Sequence, residues 1–306
     1  MGHFCKYMVK MSHLTDVPQG TKEESKMQSG VLIIDKPEGI TSHDVVAKVR
    51  KALHTKKVGH TGTLDPLATG VLVVCVEKAT KLVQYLTCEN KTYEVQMKLG
   101  IKSDTGDITG NVIETDDNIS EKLSELNLEK INETLNTFLG AQKQVPPMYS
   151  AIKVNGKKLY EYAREGVEIE REERDIEIHS IENVSFENDI LKYTVSCSKG
   201  TYVRSLCEDI AEKLGTCGTM TALRRIVTGE FEIKDSISIE EISEEKIISM
   251  EKLFDKKIDV SNNMKKLING EEIKVDLEDG LYNLYSDEYV GIGKVTSKKL
   301  KREIIL

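Results

Sequence analysis

The sequence predicts an α+β protein that has a mixed or antiparallel main sheet and a small β-rich module at its C-terminus. Strand-like and helix-like patterns are interspersed along the 306 residues, without the regular β-α-β alternation of a parallel sheet. After residue 268, short β-like runs are separated by Gly and Asp. A module of fewer than about 50 residues has a marginal core, so we expect it to pack on the main domain.

Four segments follow from composition. Residues 1–29 are polar and aperiodic, and we interpret them as a disordered extension. Residues 30–235 carry the mixed pattern and form the predicted main domain. Residues 236–260 are a charged linker or helical segment, and residues 261–306 form the C-terminal module.

Hydrophobic periodicity and turn residues predict the elements of the main domain. Thr41 and Asp44 have capping-box spacing, which predicts the start of a helix. Strict alternation of apolar and polar residues over 92–99 predicts a strand with one buried face. The predicted elements are a strand at 31–35, a helix at 42–53, strands at 71–76 and 92–99, a helix at 128–138 ended by Gly140, strands around 176–178 and 191–197, and a helix from about 204 that Gly215 ends.

The charge balance is acidic, with a net charge of −8 and a pI near 5.5, which by itself argues against a nucleic-acid partner. However, residues 45–64 and 141–160 contain Lys or Arg and no acid, while acidic residues gather in 114–130 and 239–251. Either one face of the protein is basic, or these stretches are ordinary solvated surfaces.

Several classes of protein are unsupported. The longest apolar run, 71–76, is far shorter than the roughly 20 residues that span a bilayer, and the N-terminus lacks a secretory pattern. The six cysteines have no zinc-ligand spacing, and we expect Cys75 and Cys197 to be buried free thiols of a cytoplasmic protein. We therefore predict neither a metal site nor membrane association.

The loop over residues 59–70 is the strongest candidate site, since it contains three glycines and a proline. Pro66 restricts Asp65 to an extended backbone, and glycines allow close approach to a ligand. An ordinary turn with an Asx hydrogen bond is the alternative. Phosphate-loop, dinucleotide-binding, zinc-protease and serine-hydrolase motifs are absent from the sequence, which favours carboxylate chemistry without a cofactor.

Several runs of the chain resemble the bacterial TruB family of tRNA pseudouridine-55 synthases. The similarity extends from about residue 30 to 232, in order and without large gaps, whereas residues 1–29 have no counterpart. The tail is similar to a shortened PUA-like RNA-binding module. The matching runs are 30–42, 59–70, 91–93, 103–107, 146–153, 156–160, 198–204 and 223–225.

This resemblance implies that the protein isomerises uridine in the T-loop of tRNA, with a catalytic domain of pseudouridine synthase type and with no cofactor or metal. Asp65 matches the catalytic aspartate, which either attacks C1′ or removes a sugar proton. The implied partner is the T-arm stem-loop of tRNA, and no obligate protein partner is expected. The expected location is the cytoplasm. A non-catalytic RNA-binding protein and an enzyme with a different uridine target are the alternatives.

The resemblance also implies roles for further residues. Arg204 would pair with Asp65 and keep it ionised in a buried pocket, with a phosphate contact as the alternative. Tyr93 would stack on the target base, while its apolar strand neighbours also allow simple core packing. Tyr202 and Leu223 would complete the pocket wall.

Two residues of the same regions have implied roles in base flipping and support. His60 would fill the space that the flipped base leaves, although a lone loop histidine is often only solvated. Lys36 would support the active-site loop or contact a phosphate. Phosphates are expected to meet the basic stretches 48–57 and 143–158.

Overall fold

A computed structural model describes residues 27–87 and 90–306, so most of the predicted N-terminal extension lies outside the described residues. The helices are α1 (Ser42–Ala52), α2 (Val83–Leu86), α3 (Ile119–Glu125), α4 (Leu128–Asn136), α5 (Leu159–Arg164), α6 (Val203–Lys213) and α7 (Met264–Ile268). In the described part of the chain, none of these helices is long and apolar enough to span a bilayer.

The strands of the main domain and of its small hairpins are β1 (Gly30–Lys36), β2 (Val58–His60), β3 (Thr69–Val76), β4 (Asn90–Leu99), β5 (Ile101–Ser103), β6 (Val112–Thr115), β7 (Gly140–Gln144), β8 (Lys153–Val154), β9 (Lys157–Lys158), β10 (Arg174–Glu187), β11 (Ile190–Ser198), β12 (Gly218–Thr228), β13 (Phe231–Glu232) and β14 (Ile248–Ser249). The last five strands are β15 (Lys257–Asp259), β16 (Ile273–Lys274), β17 (Gly280–Ser286), β18 (Glu288–Thr296) and β19 (Lys299–Ile305).

A large sheet organises the main domain, in the order β14-β1-β3-β12-β4-β11-β10-β7, with β13 on β12 and β2 on β3. Its strand pairs are antiparallel except for the short parallel contact between β12 and β3. The predicted α+β class with a mixed sheet is therefore confirmed. The parallel contact brings Arg225 opposite Gly70, next to the candidate loop.

The central strands β1 and β3 are buried on both faces, which explains their continuous apolar runs. Leu32 and Ile34 face a core that α1, α4 and α6 cover, while Val31 and Ile33 face a second core. Strand β4 instead keeps one face towards solvent, where Glu94 is exposed, so its sequence alternates as predicted.

The C-terminal module is a five-stranded sheet in the order β15-β17-β18-β19-β16. It has a small core of its own around Tyr282, Leu284 and Leu300. Ile292 and Ile304 belong to the second core of the main sheet, so the module packs against the back of β1 and β3. The expectation that it docks on the main domain is confirmed.

Two details differ from the sequence-based expectation. Helix α4 ends at Asn136, because Thr137 is its C-cap, and Gly140 does not terminate it. Gly140 has a φ of 91° and instead begins β7. The segment 236–260, expected to be a linker, contributes β14 to the main sheet and β15 to the module sheet.

Candidate active site

The candidate loop brings Asp65 to Arg204, which is more than a hundred residues away in sequence. Arg204 Nη2 lies 2.9 Å from Asp65 Oδ2. Asp65 follows a buried leucine between β2 and β3, whereas Arg204 lies in the first turn of α6. The pairing expected from the resemblance is therefore present in the geometry.

The guanidinium of Arg204 is fixed from several directions. It donates to the carbonyl oxygens of Thr105 at 2.7 Å and Tyr149 at 2.8 Å, in addition to the Asp65 carboxylate. Its side chain is 7% exposed. Gly106, at a φ of 76°, packs so closely that an added Cβ would lie 3.3 Å from Arg204 Cβ. The arginine is thus a rigid cation rather than a mobile surface group.

The Asp65 carboxylate is more open than expected. Its side chain is 42% exposed, so the expectation of an aspartate in a buried pocket is wrong. The reason is that Arg204 is the buried partner of the pair, while the neighbouring Pro66 of the loop is exposed. The pair therefore presents a carboxylate to solvent on an immobile cationic support.

Buried polar side chains hold the loop on both sides of Asp65. The Ser42 hydroxyl accepts from Leu64 N–H at 2.8 Å and donates to the Leu64 carbonyl at 2.9 Å. The Lys36 ammonium donates to the carbonyl of Pro66 at 3.3 Å. The backbone around Asp65 is consequently fixed without regular secondary structure.

Lys36 lies beneath the loop and is fully buried. Its ammonium also donates to the carbonyls of Pro37 at 2.9 Å and Ile40 at 2.7 Å. Burial lowers the pKa of Lys36 from 10.5 to about 8, against the opposing charge of Asp65. Of the two suggested roles, this position allows loop support, because a fully buried ammonium cannot reach a phosphate.

Tyr93 lies on β4 with its ring 7% exposed, as part of the main core. Its cross-strand partner is Arg225 of β12. Burial raises the pKa of the Tyr93 phenol, while the charge of Arg225 and a side-chain hydrogen bond with it oppose that rise. The charge of Asp65 raises the same pKa slightly further.

His60 lies at the other end of the loop, at the end of β2. Its ring contacts His43 in a T-shaped arrangement, with centroids 5.5 Å apart. Burial, followed by the charges of His43 and Arg225, lowers the pKa of His60. His60 Nδ1 is buried and, among the described residues, has no hydrogen-bond partner.

Tyr202 and Leu223 are both partly buried. Tyr202 adjoins α6, the helix of Arg204, and Leu223 lies on β12, the strand of Arg225. Tyr202 is the N-cap residue of α6, and the side-chain amide of Gln144 clamps its backbone. Gln144 accepts from Tyr202 N–H at 2.8 Å and donates to the Tyr202 carbonyl at 3.1 Å. Leu223 is aligned with Val95 on β4.

The sequence patterns did not single out Ser42, Gln144 or Arg225 as individual residues. All three are buried polar side chains that donate to backbone carbonyls. Their only sequence signal is their place inside or beside the matched runs. In the described part of the chain, His, Cys, Asp and Glu side chains form no cluster able to hold a metal ion.

Comparison with known protein families gives two matches that together span most of the chain. The model of the N-terminal domain of TruB family pseudouridylate synthases matches residues 50–203. The model of the C-terminal domain of tRNA pseudouridylate synthase B matches residues 204–272.

Individual relatives agree with these matches. The tRNA pseudouridine synthase B of Clostridium perfringens is 47% identical, over 91% of this chain and 99% of that protein. The Bacillus subtilis protein of the same name is 48% identical, over 71% of this chain and 70% of its own length.

Two solved structures share the architecture. A chain in the crystal structure of a Cbf5-Nop10-Gar1 complex has a TM-score of 0.64 and 29% identity, covering 87% of this chain and 78% of its own. A chain in the structure of an H/ACA RNP bound to a substrate RNA has a TM-score of 0.61 and 26% identity, covering 87% of this chain and 77% of its own.

Proposed function

This chain belongs to the TruB family of pseudouridylate synthases, and we propose that it converts uridine to pseudouridine in tRNA, at position 55 of the T-loop. The carrying observation is the partly exposed Asp65 carboxylate, 2.9 Å from a buried Arg204. A protein that only bound RNA would gain nothing from an open carboxylate here, because it repels phosphate. A reaction that uses the carboxylate explains the arrangement.

The proposed reaction is an isomerisation that needs no cofactor. The bond between uracil N1 and ribose C1′ breaks, the base turns, and C5 bonds to C1′, while the C5 proton leaves and N1 gains a proton. Asp65 acts either as the nucleophile at C1′ or as the base that removes a sugar proton. On both routes the fixed Arg204 guanidinium favours the ionised carboxylate and sets its direction.

The target base is stacked in folded tRNA, so the enzyme must flip it out at a cost of roughly a few kcal/mol. We propose that His60 fills the vacated space and that the flipped uracil stacks on Tyr93. Because only 7% of Tyr93 is exposed, stacking requires the pocket to open around the ring. Tyr202 and Leu223 would then line the pocket beside the base.

Binding of the tRNA T-arm would use a local basic surface on an acidic protein. The five basic side chains of the first stretch are exposed, namely Lys48, Arg50, Lys51, Lys56 and Lys57. We also propose that residues 261–306 form a PUA-like RNA-binding module, that the protein acts in the cytoplasm, and that it needs no obligate protein partner.

Mapping of pseudouridine in an unmodified tRNA transcript tests this function. We expect product at position 55, and none in a matched transcript that carries cytidine there. The Asp65→Asn variant should give no product at equal tRNA binding. A complete lack of product with the wild-type protein would reject the enzyme, while product only at another uridine would reject position 55.

A further inference from the structure

A second arginine, Arg225, lies beneath the candidate site as a fully enclosed cation. It is 2% exposed and is among the largest fully buried side chains of the described residues. Its Nε donates to the Val71 carbonyl at 2.8 Å, and its Nη2 donates to the Gly62 carbonyl at 3.1 Å. Over residues 27–87 and 90–306, it forms no ion pair with a carboxylate.

An enclosed cation without a carboxylate partner is costly, because it loses its hydration. A purely structural role would be filled more cheaply by an apolar side chain of similar size. We therefore look for the role of the buried arginine in the groups to which its N–H groups donate.

Those donors hold both ends of the candidate loop. Gly62 precedes Asp65 in the loop, and Val71 directly follows Gly70, the last residue of the loop, within the buried part of β3. One planar guanidinium thus fixes the separation of the two loop ends around the carboxylate. The fit is tight at Gly70, where an added Cβ would lie 2.2 Å from the Arg225 carbonyl oxygen, whereas one at Gly62 would lie at ordinary contact distance, 3.6 Å from Arg225 Nη1.

The same arginine lies opposite Tyr93 in the main sheet. The two residues are cross-strand partners on β12 and β4, and the charge of Arg225 opposes the rise that burial causes in the pKa of Tyr93.

We infer that Arg225 is a positioning residue, which on the proposed function fixes the catalytic loop beside Tyr93, its cross-strand neighbour. It touches neither the uridine nor Asp65 directly. Its removal should therefore slow the chemical step more than it weakens tRNA binding, because small displacements of reacting groups cost up to about a hundredfold in rate.

The neighbouring Arg224 provides a matched control. It points to the opposite face of the sheet, where it pairs with Asp35 at 2.7 Å and is 38% exposed. Both arginines lie on β12, and both can be replaced by lysine with the charge retained. A lysine at 225 can reach one carbonyl but cannot hold those of Gly62 and Val71 in the same fixed geometry.

The test compares Arg225→Lys, Arg224→Lys and Tyr93→Phe, each alone, with the double variant Arg225→Lys/Tyr93→Phe. Single-turnover rate, tRNA Kd and melting temperature are measured for each protein. We expect Arg225→Lys to lower the rate about tenfold or more with Kd changed less than about threefold. Its effect should be smaller in the Tyr93→Phe background, because the two residues are cross-strand neighbours and their substitutions should therefore be coupled.

Three outcomes would overturn the inference: a folded Arg225→Lys protein with wild-type rate, a loss equal to that of Arg224→Lys, or full multiplicativity with Tyr93→Phe. If Arg225→Lys does not melt cooperatively, Arg225→Gln is measured by the same criteria. A wild-type protein that forms no product would reject the proposed function instead, so the two failures are distinguishable.

Discussion

Two Asp–Arg pairs flank the same end of the main sheet on opposite faces, and they differ in what immobilises the arginine. In the Asp65–Arg204 pair, the arginine is 7% exposed and two backbone carbonyls hold it. In the Asp35–Arg224 pair, both side chains are more than a third exposed, at 35% and 38%. A short distance between the charged atoms of an ion pair therefore does not by itself indicate a functional site. A rigid, buried cation beside an open carboxylate provides preorganisation that a surface pair lacks.

The largest expected effect separates the two aspartates. Asp65→Asn should lower turnover roughly a thousandfold or more, because an amide serves neither as nucleophile nor as base. It should bind tRNA almost normally, since binding depends on phosphates and the stacked base. Asp35→Asn should cost about 1 kcal/mol or less and keep its activity. Gel-shift titration and a pseudouridine assay on the same preparations measure both properties.

Residual turnover of Asp65→Asn within about tenfold of wild type would exclude Asp65 as the catalytic group. A loss of both binding and turnover would assign Asp65 a structural role in the loop. Equal losses at Asp35 and Asp65 would remove the distinction between the two pairs.

The next effect concerns Tyr93, which lies on the same side of the main sheet as α6 and Arg204. Tyr93→Ala should weaken binding of the flipped base by roughly 1–3 kcal/mol, because stacking needs the ring. Tyr93→Phe keeps the ring and should retain tRNA binding, while its rate falls if the hydroxyl transfers or directs a proton. Tyr193→Phe is the control, since this tyrosine is equally buried on β11 and its hydroxyl contacts Cys207. An Ala variant as active as wild type would contradict stacking.

A smaller effect should appear as a pH dependence. The Lys36 ammonium holds the loop through Pro66, and its pKa is lowered to about 8. Above that pH the amine loses a donor, so we expect the single-turnover rate to fall severalfold between about pH 7 and 9. The Lys36→Met variant should have a low single-turnover rate at all pH values and should not show this decrease. A wild-type rate that stays flat across the range would contradict the assignment.

The free energy of unfolding should change with pH in the opposite direction to the reaction rate. Because the pKa of Lys36 is lower in the folded protein than the ordinary 10.5, the unfolded chain binds its proton more tightly. The burial penalty is therefore complete below pH 8 and fades as the pH rises towards 10.5. The contribution of Lys36 to the free energy of unfolding should thus become more favourable over that window, as denaturant titration of wild type against Lys36→Met would show.

The smallest expected effect concerns the outer surface. Replacing Lys56 and Lys57 together by Ala should weaken tRNA binding and reduce the slope of log Kd against log salt by roughly one to two. Both are exposed, and the exposed Lys130 and Lys246, from the acidic stretches, serve as the control pair. An unchanged slope would place the RNA path elsewhere on the protein.

Much of the fold was predictable, because β1, α1, β3, β4 and α6 carry strong local periodicity and capping signals. The Thr41–Asp44 capping box is present as predicted. The end of α4 was misplaced, since a positive φ at Gly140 suits the start of a strand as well as a helix end. The Asp65–Arg204 pair was anticipated only through the family resemblance, because no local pattern links residues so distant in sequence.

The sequence by itself determined the strand and helix order, the irregular loop around Asp65, and the dependence of the small C-terminal module on the main domain. These features follow from short-range chemistry, namely alternation, glycine and proline positions, and apolar content. Only the tertiary structure decided that Asp65 is open while Arg204 is buried, and that Ser42, Lys36 and Arg225 hold the loop. Burial and hydrogen-bond partners depend on which distant elements become neighbours, as the contact between β3 and β12 shows by bringing Arg225 opposite Gly70.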